Sequence, residues 1–298
     1  MKVLNFKKID AFAFGKSSGN PAGYISLSSA EDMTSGEMLQ VAKELNGFVN
    51  EVGYVCQTAE NEFNLKFYSS EREVDFCGHA TIAIMYDLLA NNADLKKYET
   101  LHIKTNRGVL KVENRIKSEN AVFIHSPEPF VKEIIPQITD LAKNLTVDVD
   151  EIDGSYPISI INAGLSTLLV PIKTLQSILK ISPDSESLKD FCFKSGVDIV
   201  EVFTKEVVGK MSNFRTRVFA PTFGYIEDPA TGSGNSAFGY YLLRNKLWRG
   251  ETVTIEQNGL YDDFNIVKLQ KQVDEKGNDR ILFGGNAITR IVGKYILQ

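Results

Sequence analysis

Glu51 is the residue whose type and setting most invite chemistry. It sits in Val49-Asn50-Glu51-Val52-Gly53-Tyr54-Val55, among mostly apolar neighbours. A carboxylate so placed loses hydration and its pKa tends to rise, which suits a general acid/base. A solvent-facing strand residue would read the same way, so both readings stand. A second cluster is Cys77-Gly78-His79-Ala80-Thr81, which opens an apolar helix with Ile82, Met85 and Leu89 on one face. A helix N-terminus can lower a thiol pKa, although free cysteine is commonly a small buried hydrophobe. His79, near a positive dipole end, is expected to stay neutral and to exchange hydrogen bonds, or simply to cap and pack. A third cluster, Asp228-Pro229-Ala230-Thr231-Gly232-Ser233-Gly234, opens another apolar helix. Asp228 reads from its neighbours as no more than a loop residue bonding local amides. Ser233 is a candidate substrate ligand or a capping hydroxyl.

Other chemistries fit less well. Cys77 and His79 have no second ligand pair nearby, and His102 and His125 fall in strand-like segments, so no metal site is expected. Gly232-Ser233-Gly234-Asn235-Ser236-Ala237 matches a dinucleotide fingerprint, but Glu227-Asp228-Pro229 stands where the strand should be and regular βαβ alternation is missing. The G-x-S-x-G elbow is absent, because Thr231 occupies the first glycine position.

The elements that must position these residues form a repeat. Cys77–Thr81 can be laid on Thr231–Asn235, each following an acidic residue, Asp75 or Asp228. Each then leads through a helix to a strand and turn, Ile103–Gly108 in one half and Ile255–Gly259 in the other. Upstream, Asn46–Glu51 can be laid on Asn162–Thr167, which pairs Glu51 with Thr167. Equivalent halves predict an α+β fold of two pseudo-symmetric domains, each a mostly antiparallel sheet wrapped around a central helix. The expected domains are 1–118 with 286–298 returning, and 119–285. The two central helices are expected to face each other across a cleft. There Gly78, Gly232, Gly234 and the backbone of Ser233 would offer amides and positive dipole ends to a carboxylate. Cys77 opposite Thr231 argues against a pair of thiol bases, since a threonine hydroxyl cannot act as one. Alternation marks strands at Val3–Phe14, Val49–Val55 and Phe63–Phe67, and helical spacing marks Thr34–Leu45 and Val131 to about Leu145. Asn106-Arg107-Gly108 signals a hairpin.

Composition bounds the rest. The chain has 298 residues, 43% hydrophobic and 24% charged, with a net charge of −5. That is ordinary globular usage, with no basic excess for nucleic acid. Three cysteines exclude a disulfide scaffold. No window approaches 18 apolar residues and Lys7, Lys8 and Asp10 interrupt the N-terminus, so neither a membrane span nor a signal peptide is expected, and the cytoplasm is the default location.

At these residues the chain resembles the phenazine-biosynthesis PhzF family, within the diaminopimelate epimerase-like fold. Gly19-Asn20-Pro21 resembles that family's early loop. Asn50-Glu51-Val52 resembles its Ser-Glu-Thr segment with the glutamate kept, and Phe76–Thr81 resembles its Gly-His segment. Glu227–Ser233 resembles its Asp-Pro-Ala-Thr-Gly-Ser segment closely. The resemblance implies an isomerase that needs no cofactor, commonly a homodimer, acting on a small carboxylated metabolite in an interdomain cleft. It places the catalytic glutamate on Glu51 and its supporting histidine, aspartate and serine on His79, Asp228 and Ser233. Asn20, Cys77, Gly78, Thr231, Gly232 and Gly234 are the expected substrate-binding positions. A racemase, epimerase or dehydratase using Cys77, and a non-catalytic acid binder, are the competing expectations.

Overall fold

The structure is a computed structural model describing residues 1–298. Its internal contacts divide the chain into two units. The first comprises Met1–Ala13, Ser18–His125 and Gly284–Gln298, and the second Phe14–Ser17 and Ser126–Phe283.

In chain order the elements are β1 (Lys2–Ala11), β2 (Asn20–Leu27), α1 (Ser35–Glu44), β3 (Glu51–Ala59), β4 (Glu62–Ser69), β5 (Glu73–Val74), α2 (Gly78–Asn91), β6 (Thr100–Thr105), β7 (Gly108–Arg115), α3 (Ile116–Glu119) and β8 (Ala121–His125). There follow β9 (Phe130–Lys132), α4 (Ile138–Leu145), β10 (Ser159–Asn162), β11 (Ser166–Pro171), α5 (Leu175–Lys180), α6 (Ser185–Ser195), β12 (Ile199–Thr204), β13 (Phe214–Phe219), β14 (Glu227–Asp228), α7 (Gly232–Arg244), β15 (Thr252–Gln257), β16 (Asn265–Val273) and β17 (Asp279–Gly285). The last strand is β18 (Ala287–Leu297).

In the first unit β1 lies antiparallel between β2 and β18. The sheet then runs through β3, parallel to β2, and β4, antiparallel to β3. Beyond it β6 is parallel to β4, and β7 and β8 continue antiparallel. Side chains alternate between faces along each strand. Val52, Tyr54 and Cys56 of β3 pack on one face with Met38, Val41 and Ala42 of α1. A capping box starts α1: Thr34 Oγ1 accepts from the Glu37 N–H at 3.2 Å and Glu37 accepts from the Thr34 N–H at 2.8 Å. The other face of β3 carries Glu51, Gly53 and Val55. A Cβ on Gly53 would sit 2.4 Å from Ile84 Cδ1, so the bare glycine is what lets α2 settle against the strand. That helix is apolar around most of its circumference and accordingly buried from Gly78 to Met85.

The second unit repeats the plan. β10 pairs antiparallel with β11, β11 runs parallel to β12, β13 is antiparallel to β12, and β14 and β15 flank β13. Leu168, Val170, Val200 and Val202 pack with Ile178, Leu188, Phe191 and Cys192 of α5 and α6. The opposite face meets α7, where Phe238 lies 4.7 Å from Phe203 and 5.1 Å from Phe214, ring centre to ring centre. β13 and β15 also share a fully buried ion pair, Arg215 Nη1 to Glu256 Oε2 at 3.2 Å. Arg215 donates further to the Asn258 carbonyl at 2.9 Å, and Glu256 accepts from the Val208 N–H at 3.1 Å.

One predicted helix is cut short. Val131–Leu145 was expected to be helical throughout, yet Phe130–Lys132 is a strand paired with β10 and the helix starts at Ile138. Pro136 accounts for the break, because a proline disfavours helical backbone at the residue before it. No helix is long and apolar enough to cross a membrane.

Candidate active site

Glu51 is the first residue of β3 and lies beside Ala22 of β2 and Ser69 of β4. It shares the face of Gly53, so its side chain points toward the start of α2. Its Oε2 lies 3.3 Å from Nε2 of His79, with 13% of the Glu51 side chain and 9% of the His79 side chain exposed. Strand pairing and the glycine contact thus bring together residues 28 apart in sequence. Cys77 is the N-cap of α2 and makes no side-chain cap bond. Its Sγ lies 3.5 Å from Nδ1 and 4.0 Å from Nε2 of His79. Burial pushes the His79 imidazole down to about 4, with a hydrogen bond to the Pro21 backbone opposing the shift. The ring is therefore neutral near neutral pH, as expected, although desolvation is the cause. The Gly19-Asn20-Pro21 segment is joined to the site by that bond. Gly19 takes φ +68°, where a Cβ would lie 2.6 Å from the Ala11 carbonyl oxygen, and Asn20 is buried as the first residue of β2.

Among the cysteines, burial pushes Cys192 up to about 12 and raises Cys56. None of the three is in a disulfide, and Cys77 sits with a histidine.

The second unit holds the Asp228 cluster. Asp228 lies in β14, opposite Val218, and is buried. The loop that follows it is fixed by side chains that sequence reasoning missed. Gln257, fully buried, donates from Nε2 to the Asp228 carbonyl at 2.8 Å and accepts from the Thr231 N–H at 3.0 Å. Asn265 donates to the Pro229 carbonyl at 2.7 Å, and Asn235 donates to the Thr231 carbonyl at 2.8 Å. Gly232 meets the Phe283 ring, where a Cβ would lie 2.3 Å from Cε2. Thr231 is the N-cap of α7 without a side-chain cap bond, so Ser233 is not a cap but the second helical residue, matching His79 in α2. Neither helix has an acidic residue in its first turn.

The strand registers correct two pairings read from sequence. In β3 and β4 Gly53 faces Phe67, which faces Val74; in β12 and β13 Glu201 faces Val218, which faces Asp228. Glu51 therefore corresponds to Ile199, whereas Thr167 corresponds to Ala22. Asp228 corresponds to Val74, whereas Asp75 is exposed and lies 3.7 Å from Arg107. The units carry their acids at different places, each where the other is apolar.

Glu201, the counterpart of Gly53, was also missed. It is fully buried, neither carboxylate oxygen has a hydrogen-bond partner, and Oε2 lies where a Cβ on Gly234 would be 2.8 Å away. Burial, with the negative charge of Asp228 second, raises its pKa well above the carboxylate range. The folded state then binds the proton more tightly than the unfolded chain, so stability falls as pH rises above about 4.5 toward that raised value. Glu201→Gln is expected to be more stable than the parent at about pH 8, the gap closing toward about pH 5. Urea melts across that range check it, and a gap independent of pH would contradict it.

With these geometries known, comparison with other proteins is informative. The family described as phenazine biosynthesis-like protein, PhzC-PhzF, matches residues 9–293. The chain belongs to the PhzC-PhzF family. It is 26% identical to an uncharacterized isomerase of Clostridium acetobutylicum, with all of both chains aligned. It is 23% identical to the trans-2,3-dihydro-3-hydroxyanthranilate isomerase of Pseudomonas fluorescens, over 98% of this chain and 99% of that one. The crystal structure of the Bacillus anthracis PhzF-family protein superposes with a TM-score of 0.88 at 24% identity, both chains fully covered. A hydroxyproline epimerase from Agrobacterium vitis shares the fold more distantly, with a TM-score of 0.62, 13% identity and coverage of 99% and 91%. As a PhzC-PhzF member the protein is an isomerase, and its fold is the one expected from the repeated helix openings.

Proposed function

We propose that this PhzF-type isomerase moves a proton between two positions of a small carboxylated metabolite without a cofactor, with Glu51 as the base. The observation that carries the proposal is the 3.3 Å approach of Glu51 to a His79 that burial keeps neutral. Glu51 would take a proton from carbon and return it elsewhere on the same skeleton, while His79 exchanges hydrogen bonds with the carboxyl and the substrate. The matching strand position holds Ile199, so no second base is available by symmetry. That favours a hydrogen shift over stereoinversion. The uncapped amides at Gly78, and those at Gly232 and Ser233, suit a carboxylate because no acidic side chain competes in either first turn. Asn20, Cys77, Thr231 and Gly234 are proposed to complete the substrate contacts, with Asp228 and Ser233 carrying the further proton transfers that the family resemblance implies.

The test is solvent deuterium incorporation. The first compound to try is trans-2,3-dihydro-3-hydroxyanthranilate, for which the P. fluorescens relative is named, followed by a panel of carboxylated metabolites. Exchange should depend on Glu51. A second reading rests on Cys77, whose sulfur lies 3.5 Å from the imidazole; if Cys77→Ala loses turnover while Glu51→Gln keeps it, a thiol-based racemase or dehydratase is the better description.

A further inference from the structure

The geometry points to a binding site for one zinc-like divalent cation per chain, held by a Glu51 carboxylate oxygen, Cys77 Sγ and a ring nitrogen of His79. The three ligand atoms come from the start of β3 and from the N-terminal end of α2, and they lie within 4.8 Å of one another. Carboxylate, thiolate and imidazole are the zinc ligand types, with bonds of about 2.0–2.3 Å that set neighbouring ligand atoms roughly 3.3–3.8 Å apart in a tetrahedron. His79 Nε2 to Glu51 Oε2 is 3.3 Å, already that edge. Cys77 Sγ to the same nitrogen is 4.0 Å, slightly longer than that edge, so the thiol has to move inward for all three atoms to hold one ion.

The surroundings suit a metal as well. Two anionic ligands balance the two positive charges, so a buried site would be uncharged overall. Three protein ligands leave a fourth position for water or a carboxylate. The second unit lacks the set, with Ile199, Thr231 and Ser233 at the matching positions, which limits binding to one ion.

Binding draws on these atoms alone. Its consequence, reversible silencing of catalysis, rests on the proposed role of Glu51, because an ion on that carboxylate removes the base. The experiment titrates the full-length protein with Co2+ and then displaces it with Zn2+, reading thiolate-to-cobalt absorption and competition with a chromophoric chelator. One equivalent should bind. Cys77→Ala should lose the thiolate band and weaken Zn2+ binding by at least about 100-fold, and Glu51→Gln should weaken it by at least about 10-fold. Cys192→Ala should bind as the parent does. Thermal melts confirm that each variant is folded, and His79→Asn supplies a second probe should Cys77→Ala fail to fold. Absence of saturable binding, or binding unchanged in both Cys77→Ala and His79→Asn, overturns the site. If zinc binds but leaves deuterium exchange untouched, the site stands and the role of Glu51 falls. If Glu51→Gln loses exchange while no zinc binds, the role stands and the site falls.

Discussion

Glu51→Gln is expected to lower deuterium exchange into substrate by about 10²- to 10⁴-fold, the range a positioned acid/base contributes. The substitution keeps shape and volume but removes the ability to accept a proton from carbon. It should cost little stability, since glutamine keeps a polar, hydrogen-bonding side chain of the same size beside His79. The pH profile separates the two residues. Burial holds His79 neutral near neutral pH, so an acid limb that vanishes in the residual activity of Glu51→Gln is assigned to the carboxyl and one that persists is not. Glu51→Asp should recover part of the rate, because it restores the base at a longer reach. Exchange by Glu51→Gln at the parental rate would remove Glu51 from the mechanism.

Arg215→Met is expected to destabilise the second unit by about 3–5 kcal/mol, the cost of stranding a buried charge. Both side chains of the Arg215–Glu256 pair are fully buried, and the pair ties β13 to β15 just before the Gln257 contacts that hold the Asp228–Thr231 loop. Removing the guanidinium leaves Glu256 fully buried without its ion-pair partner, held only by the backbone N–H groups of Val208 and Gly209. Removing both charges, in Arg215→Met with Glu256→Leu, should restore much of the loss, since what is costly is the orphaned ion. Trp248 is the chain's single tryptophan and lies in the second unit, so its fluorescence in urea reports that unit's transition. A loss under about 1 kcal/mol for Arg215→Met would show that Glu256 escapes burial.

The parts of this architecture that sequence revealed are those governed by local chemistry. The two glycine-opened apolar helices, the helix of Thr34–Leu45 and the Asn106–Gly108 turn each follow from a few adjacent residues. Glu51, Cys77 and His79 were recognisable as reactive types, but the repeat did not bring Glu51 to the other two. Register was not legible. Laying Asn46–Glu51 on Asn162–Thr167 matched two glycine-containing stretches but ignored α5 and α6, which separate β11 from β12, and so paired Glu51 with Thr167 instead of Ile199. Gln257 and Asn265 gave no signal because polar residues near strand ends ordinarily face water. Glu201 did carry one: an acid inside the apolar run Ile199–Phe203, on a strand buried along its whole length. The metal ligand set escaped notice because its third member lies 26 residues upstream of Cys77, and only the β3–α2 packing joins them.

The return of β18 to pair with β1, from Lys2↔Leu297 to Ala11↔Ala287, governs the order in which the protein is made. β1 is synthesised long before β18, so that edge stays unfilled until β18 arrives, while the second unit is nearly one continuous run. Closing so long a loop is slow, and unfilled strand edges invite mispairing. The second unit should therefore mature first and the first unit last, even though most of its sequence is synthesised earlier. A hydrogen-exchange pulse during refolding should protect the amides of β12 and β13 before those of β1; the reverse order would show that β1 finds an interim partner.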